Sequence, residues 1–277
     1  RNYGSKKGKD EIIAMTSSFH GRTIGALSVG SNKKYKSNIG PVPGKVKFCK
    51  FNDVSHLKKL VNKKTVAIII EFVQGDGGIN ICSKKFAKAI KEICKNKKIL
   101  LIGDEIQGGI GRTGKIFAYK HYGVNPDIIT SAKGLGSGIP IGATIVKKYI
   151  SKIISTGFHG STFGGGMLQT RVSYNVFKAI NTKSFLNKVI INGKYLSNLL
   201  KKIHIDHKDK IIDTRCLGLM AAIEFKTNEI ASKTYDKISK NGLITTLIQG
   251  NIIRITPPLI INQKELKKGL NIISKIL

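Results

Sequence analysis

Short apolar runs alternate with amphipathic stretches along the middle of the chain. Residues 66–70 and 99–102 are apolar and rich in isoleucine, which predicts strands buried on both faces. Between them, residues 85–94 place apolar side chains on one helical face and lysines on the other. Residues 128–130 predict a third strand and residues 143–146 a fourth. Strand, helix and strand at this spacing predict an α/β domain with a largely parallel sheet.

The C-terminal part of the chain also alternates predicted strands and helices, over a shorter length. Beyond the lysine-rich segment 201–210, the pattern predicts a small α/β unit. We therefore predict a large domain over residues 1–204 and a small C-terminal domain over residues 205–277, with His204 and His207 in a solvated linker. The further elements predicted are helices at 167–179, 185–203, 230–240 and 263–276 and strands at 219–225 and 252–255.

Length and composition limit the classes of protein to which this chain can belong. The chain has 277 residues, 41% of them hydrophobic, and none of its apolar runs approaches the roughly 18 residues that a membrane span needs. Its four cysteines form no C-x-x-C pair, which is typical of a reduced, cytoplasmic protein. We expect no metal site, no membrane insertion and a cytoplasmic location.

The charge balance is strongly basic, with 48 Lys and Arg against 16 Asp and Glu, a formal net charge of +32. A field of this sign attracts nucleic acid and anionic metabolites alike. The lysines, however, are spread from Lys6 to Lys275 and there is no Trp for base stacking. Because an A+T-rich genome gives the same Lys-, Ile- and Asn-rich composition, we favour that origin over a nucleic-acid partner.

Polar side chains stand where the first three predicted strands end. Glu71, Asp104 and Lys133 each follow one of these strands closely. Because ligands bind outside the carboxyl ends of strands in open α/β sheets, the three side chains could share one crevice. A partly desolvated lysine there has the lowered proton affinity that Schiff-base chemistry needs. An ordinary ion pair between Asp104 and Lys133 is the alternative that spacing leaves open.

Two glycine motifs match phosphate-binding signatures only in part. The G-x-G-x-x-G match at 109–114 is separated from its strand and opens no periodic helix. The G-x-x-x-x-G-K match at 109–115 lacks the hydroxyl residue that should follow, because Ile116 comes next. Neither motif predicts a nucleotide site. The glycines at 134–138 instead suit the close approach of a flat ligand to the backbone beside Lys133.

Seven short blocks occur in an order that resembles the class III pyridoxal-phosphate aminotransferases, and the resemblance runs from end to end. The blocks are Phe-His-Gly-Arg-Thr at 19–23, Glu-Phe-Val-Gln-Gly-Asp-Gly-Gly at 71–78, Asp-Glu-Ile-Gln at 104–107 with Gly-Arg-Thr-Gly at 111–114, Lys-Gly-Leu-Gly at 133–136, Ser-Thr-Phe-Gly-Gly at 161–165, Arg215 with Gly-Leu-Met at 218–220, and Arg254 with Pro-Pro-Leu at 257–259. The resemblance implies fold type I, with a large, mostly parallel domain and a small C-terminal α/β domain.

The resemblance also implies a cofactor site for pyridoxal 5'-phosphate. Lys133 would bind the cofactor covalently and carry a proton between substrate and cofactor, and Asp104 would pair with the ring nitrogen. Phe19 would stack on the ring, Ile106 would pack behind it, and Gln107 would meet the phenolic oxygen. Lys133 and Asp104 are thus the expected catalytic residues.

Further residues are implied for the phosphate and the substrates. Thr162 would reach the cofactor phosphate of a partner subunit in a homodimer, with Ser161 beside it at the substrate. Arg22 and Arg254 would hold substrate carboxylates, for which a planar guanidinium is well suited. Asp76 stands where the family usually has glutamate, and would pair with Arg254 and release it for the second substrate.

The blocks at 19–23, 40–44 and 51–53 look most like the acetylornithine branch of this family. That likeness implies amino transfer from N-acetylornithine to 2-oxoglutarate in arginine biosynthesis. Ornithine or 4-aminobutyrate as the amine donor is the nearest alternative. A basic nucleic-acid-binding protein and an inactive remnant are the alternatives without transaminase activity.

Two departures from the family pattern bear on these expectations. Gly166 and Met167 follow the glycines at 164–165 where the family commonly has Asn-Pro, so the next helix is expected to start differently. The family's phosphate-binding Ser-Gly-Ala-Glu-Ala loop lies upstream of the first block. We therefore expect Arg1 to follow a missing N-terminal part, with residues 2–4 as the end of the helix that this loop opens.

Overall fold

The computed structural model describes residues 2–5 and 7–277, which form two larger sheets with helices packed against them and a separate two-stranded hairpin. The strands are β1 Glu11–Met15, β2 Lys45–Cys49, β3 Thr65–Ile70, β4 Val73–Gln74, β5 Asn80–Ile81, β6 Leu100–Asp104, β7 Ile128–Ser131, β8 Ala143–Val146, β9 Ile211–Leu217, β10 Met220–Phe225, β11 Thr246–Ile248 and β12 Ile252–Ile255. The α-helices are α1 Asn2–Ser5, α2 Ile24–Val29, α3 Val54–Leu60, α4 Lys84–Lys97, α5 Lys148–Ser151, α6 Met167–Ile180, α7 Lys183–Asp206, α8 Asn228–Lys240 and α9 Gln263–Ile276.

The larger sheet has six strands in the order β2-β1-β3-β6-β7-β8. All neighbours run parallel except β8, which pairs antiparallel with β7. The predicted α/β class with a mostly parallel sheet is therefore confirmed. Because β3, β6 and β7 are adjacent and parallel, the segments that follow them emerge at one edge of the sheet.

The central strands of the larger sheet have apolar sequences because they lie in its hydrophobic core. Every residue of β3 is buried, and Ile68 and Ile70 share a cluster with Phe86 and Ile90 of α4. The side chain of Ser83 caps α4 by accepting the Phe86 backbone N–H, and Lys98 ends the helix in a left-handed conformation. A rigid layer of helix on sheet thus stands behind the strand ends.

The smaller sheet has the order β11-β12-β10-β9 and is antiparallel throughout. Its core includes Leu196, Leu200 and Ile203 of α7, together with Leu270 of α9. Helix α7 therefore packs with the second core, although most of it precedes the boundary predicted after residue 204. The division into domains 1–204 and 205–277 remains a prediction.

One local expectation is wrong. Residues 204–206, which follow the predicted helix 185–203 and were expected in a solvated linker, form the end of α7, and His204 lies within the helix. The apolar spacing of Leu196, Leu200 and Ile203 continues the buried face through the lysines, which stay on the solvent side. His207 caps the end of this helix.

Sequence patterns missed several strands, including β1, β2, β9 and β11. Charged residues interrupt β2, in which Lys45 and Lys47 alternate with Val46 and Phe48 at the edge of the sheet. Short strands of this kind carry too weak a periodic signal to be separated from loops. Within the described residues, no helix combines the length and apolar character required to cross a membrane.

Candidate active site

The carboxyl edge of the large sheet brings together residues from three consecutive parallel strands. Asp104 is the last residue of β6 and lies opposite Thr130 of β7 in the strand register. Glu71 directly follows β3, and Lys133 lies in a 3-10 turn two residues after β7. The three strand exits singled out in the sequence therefore meet at one edge.

Asp104 is the most constrained acid of this edge. It is 6% exposed, and its Oδ1 accepts hydrogen bonds from Thr130 Oγ1 at 3.0 Å and from the Ile106 backbone N–H at 3.1 Å. Its Oδ2 lies 2.6 Å from Nδ1 of His20. The pair is buried, with side chains 2% and 5% exposed for His20 and Asp104 respectively. No contact to Lys133 occurs among the partners described for Asp104, so the simple ion pair between them does not form.

Two further carboxyl groups are buried next to Asp104. Glu71 Oε2 accepts the Phe19 backbone N–H at 3.0 Å, and burial, with the charge of Asp104 added, raises the pKa of Glu71 well above its ordinary value. Glu105 accepts the backbone N–H groups of Ala118 and Tyr119. Burial raises the pKa of Glu105 to about 7, against the lowering effect of those two donors.

Lys133 lines a cavity of about 190 Å³ together with Ile106, Gln107 and Arg254. The sequence predicted a partly desolvated lysine, but in this single chain Lys133 is exposed, because its turn carries it beyond the sheet edge. Its backbone has a φ of 48°, a left-handed conformation that non-glycine residues rarely adopt. Such conformations occur preferentially at functional sites, where they fix the direction of a side chain.

Three side chains form an aromatic and cationic cluster beside the strand exits. The ring of Phe19 meets the ring of Tyr35 edge to face, with centroids 5.9 Å apart. The guanidinium carbon of Arg22 lies 3.7 Å from the Tyr35 centroid and 5.8 Å from that of Phe19. Arg22 itself is exposed, so its guanidinium remains accessible to a ligand.

An ion pair at the site joins the small sheet to the turn between β4 and β5. Arg254 of β12 donates through Nη1 to Asp76 Oδ1 at 2.6 Å, and the same nitrogen lies 3.4 Å from Gln107 Oε1. Gln249 Nε2 donates to the backbone carbonyl of Asp76 at 2.7 Å. The Nε of Arg254 is buried and has no hydrogen-bond partner among the described residues. Arg254 therefore keeps a donor available for another acceptor.

The side-chain amide of Gln107 packs against the backbone of Gly75. A Cβ built on Gly75 would come within 2.1 Å of Gln107 Oε1, which lies in the position such a carbon would need. A side chain at residue 75 would therefore require the Gln107 amide to leave its present position.

Ser161 and Thr162 are not brought to this site within one chain. Both are exposed in the segment before α6, and neither lines the cavity that contains Lys133. The helix after the glycines begins at Met167, with Gly166 as an N-cap that has no side chain to accept a bond. Its start thus lacks the proline that the family commonly places there.

Sequence reasoning missed four contacts of the site. Thr130 gave no motif, although its place opposite Asp104 follows from pairing the two strands in parallel. Tyr35 and Gln249 come from irregular or short segments, and no spacing rule connects either with Phe19 or Asp76. His20 was part of the motif at 19–23, but its contact with Asp104 was not predicted.

The comparisons with known proteins agree with this arrangement. The family described as aminotransferase class-III matches residues 1–277. The chain is 40% identical to an acetylornithine aminotransferase of Methanocaldococcus jannaschii over 268 residues, which are 96% of this chain and 66% of that protein. It is 38% identical to ornithine aminotransferase 1 of Staphylococcus saprophyticus, over 96% of this chain and 67% of that protein.

A solved structure shows the same fold. The ornithine aminotransferase of Toxoplasma gondii, described with partial occupancy of PLP at its active site, superposes with a TM-score of 0.91 at 29% identity. The match covers 97% of this chain and 64% of that one. The chain thus spans about two thirds of the length of the relatives it matches. On the match over its whole length, the chain belongs to the class III aminotransferase family.

Proposed function

We propose that the protein is a pyridoxal-phosphate-dependent aminotransferase that transfers the amino group of N-acetylornithine to 2-oxoglutarate. The observation that carries this proposal is the buried carboxylate of Asp104 at the same sheet edge as Lys133. The similarity to acetylornithine aminotransferases, 40% with the protein of Methanocaldococcus jannaschii, supports the choice of substrate.

The residues present fit the cofactor. Asp104 Oδ2 accepts only the His20 contact among the described hydrogen bonds, which leaves this oxygen able to accept one more bond from a cationic ring nitrogen. Lys133 offers an accessible amine, while Phe19 and Ile106 offer apolar surfaces for a flat ring. When bound, the cofactor supplies an electron-withdrawing ring that stabilises negative charge at the substrate carbon.

Each residue of the set has a separate task. Asp104 would accept a hydrogen bond from the ring nitrogen, and a carboxylate in that place favours the protonated form of this nitrogen. Lys133 would hold the cofactor through its Nζ, and its free amine would serve as the group that moves a proton at the substrate carbon. Gln107 donates through its side-chain amide to an oxygen of the ring.

The two arginines give the site its preference for substrates with carboxylates. Arg22, held over Tyr35, presents its guanidinium for the carboxylate of the amine donor. Arg254 is neutralised by Asp76 while that donor is bound, and it receives a carboxylate of 2-oxoglutarate when the pair opens. Ser161 assists at the substrate and Thr162 at a cofactor phosphate, both from a partner subunit.

An Asp76→Ala variant should favour the dicarboxylate. Without its counter-charge, Arg254 is free to bind 2-oxoglutarate in both halves of the reaction, so KM for 2-oxoglutarate should fall about fivefold and inhibition by this substrate should appear. Steady-state kinetics with both substrates varied measure this. Asp10→Ala, which removes the acid of a surface pair with Lys45, is the control and should change neither constant. An unchanged or higher KM in the Asp76 variant would exclude the gating role.

Ornithine is the second candidate for the amine donor. The 38% identity to an ornithine aminotransferase of Staphylococcus saprophyticus is close to that of the acetylornithine enzymes. The test is kcat/KM for N-acetylornithine, ornithine and 4-aminobutyrate, measured with 2-oxoglutarate as acceptor. The proposal requires N-acetylornithine to have the highest value. A higher value for either other donor would assign the protein to that reaction, and no turnover of any donor would refute the transaminase proposal.

We propose further that the protein acts as a homodimer in the cytoplasm. Large apolar side chains stay exposed beside Ser161 and Thr162, with Phe163 at 86% and Met167 at 88%. Apolar groups grouped in this way are typical of an association surface. Sedimentation should give the mass of a dimer, and a monomer in the presence of cofactor would refute this assembly.

A further inference from the structure

The ends of the neighbouring strands β3 and β6 are connected by two hydrogen-bonded contacts, both of which involve the loop that contains Phe19. The acid after β3, Glu71, holds the backbone N–H of Phe19 at 3.0 Å. The next residue along the loop, His20, lies 2.6 Å from Asp104 at the end of β6. Glu71 and Asp104 are therefore connected through two side-chain contacts, one to Phe19 and one from His20, and these two residues are adjacent in the sequence.

We propose that Glu71 and His20 are positioning residues, which together fix the orientation and the proton partner of Asp104 Oδ2. They touch neither substrate nor cofactor in this role. Glu71 acts on Asp104 only through the loop, and His20 acts on it directly. The importance of Asp104 for catalysis rests on the proposed function, whereas the linkage itself is a property of the chain without cofactor.

Among the described residues, His20 is the one hydrogen-bond partner of Asp104 Oδ2. The other oxygen, Oδ1, is held by the Thr130 hydroxyl and the Ile106 backbone N–H. Because an ionised carboxylate only accepts hydrogen bonds, the proton of the 2.6 Å contact belongs to Nδ1 of His20. Hydrogen bonds to a charged group are stronger than neutral ones, so losing this donor should have a measurable effect.

Glu71 is suited to act as a neutral acid. It is 3% exposed, and no lysine or arginine is within ion-pair distance of it among the described residues. Its contacts are the backbone N–H groups of Phe19 and Gly75. Burial and the nearby charge of Asp104 both disfavour a second negative charge there. A glutamine at 71 should therefore preserve the contact, whereas a leucine should remove it.

The linkage is tested in the cofactor-free protein by NMR of the His20 ring. We expect a deshielded Nδ1 proton that is protected from exchange, assigned by its loss in His20→Asn. Glu71→Gln should keep this signal, and Glu71→Leu should shift it or abolish its protection. Glu105→Leu removes another buried glutamate, which holds Ala118 and Tyr119 instead, and should leave the signal in place. An unmoved signal in Glu71→Leu, or loss of the signal in Glu71→Gln, would overturn the role of Glu71.

Binding of pyridoxal phosphate is the second measurement. His20→Leu and Glu71→Leu should each weaken the affinity about tenfold, because Asp104 Oδ2 loses its orientation. His20→Asn, whose side-chain N–H takes the place of Nδ1, should recover most of that loss. His121→Leu, at a half-buried histidine that contacts Thr113, is the control and should bind normally. Equal affinities in His20→Leu and the native protein would overturn the proposal.

The two measurements separate this proposal from the proposed function. If the native protein fails to bind pyridoxal phosphate while the His20 signal responds to Glu71→Leu, the linkage stands and the cofactor assignment fails. If the cofactor binds and the signal does not respond, the linkage fails and the assignment stands.

Discussion

A Lys133→Ala variant should lose transamination, with kcat/KM for the amine donor reduced at least about 10³-fold. Alanine removes both the amine that joins the cofactor and the group that carries the proton at the substrate carbon. The absorbance band of the protein-bound cofactor should also change, because the covalent link cannot form. Both quantities are measured on protein mixed with pyridoxal phosphate.

The matched control for this variant is Lys233→Ala. Lys233 is an exposed lysine of α8 paired with Glu229, and its loss removes the same charge without touching the site. The control should keep the native absorbance band and the native kcat/KM. If Lys133→Ala retains the band and most of the activity, another amine performs the reaction and the assignment is wrong.

Asp104→Asn is expected to have the second largest effect. The amide keeps the shape of the side chain but not its charge, so the ring nitrogen is no longer held in its protonated form. We expect kcat to fall about 10²-fold or more, the scale typical of losing one aligned electrostatic contact in a buried site. Steady-state kinetics measure this loss, and thermal unfolding checks that the fold is kept.

Asp127→Asn provides the comparison for the Asp104 variant. Asp127 precedes β7 at the opposite end of the sheet, where it pairs with Lys147 at 2.7 Å. Its replacement should lower thermal stability slightly and leave kcat unchanged. If the two variants lose kcat equally, the loss reflects a general weakening of the sheet rather than the charge at residue 104.

The local pattern of apolar and polar residues was sufficient to predict the strands and helices that have a strong apolar signal. The central strand β3 and helix α4 were predicted to within a few residues, because a run of buried isoleucines and a stripe of apolar residues both follow directly from burial. The edge strand β2 was missed because its lysines break the pattern, and its inner neighbour β1 was missed because it is only five residues long. Helix α7 was predicted to end at residue 203 rather than at Asp206, because the lysines on its solvent face resemble a linker.

The site was predictable as far as residue type and strand position determine it. Asp104 and Lys133 follow adjacent parallel strands, so the meeting of their segments is a consequence of sheet topology. The contact between His20 and Asp104 could not be predicted, because it depends on the path of an irregular loop. Exposure of Lys133 likewise depends on a backbone conformation, with a φ of 48°, that no spacing reveals.

The central claim is that Lys133 carries the cofactor, and peptide mapping tests it most directly. Borohydride treatment of protein loaded with pyridoxal phosphate fixes the link as a secondary amine, and digestion followed by mass spectrometry locates the added group. We predict the label on Lys133 and on no other lysine at stoichiometric level. A label on a different lysine, or scattered among the surface lysines with Lys133 unmodified, would contradict the account.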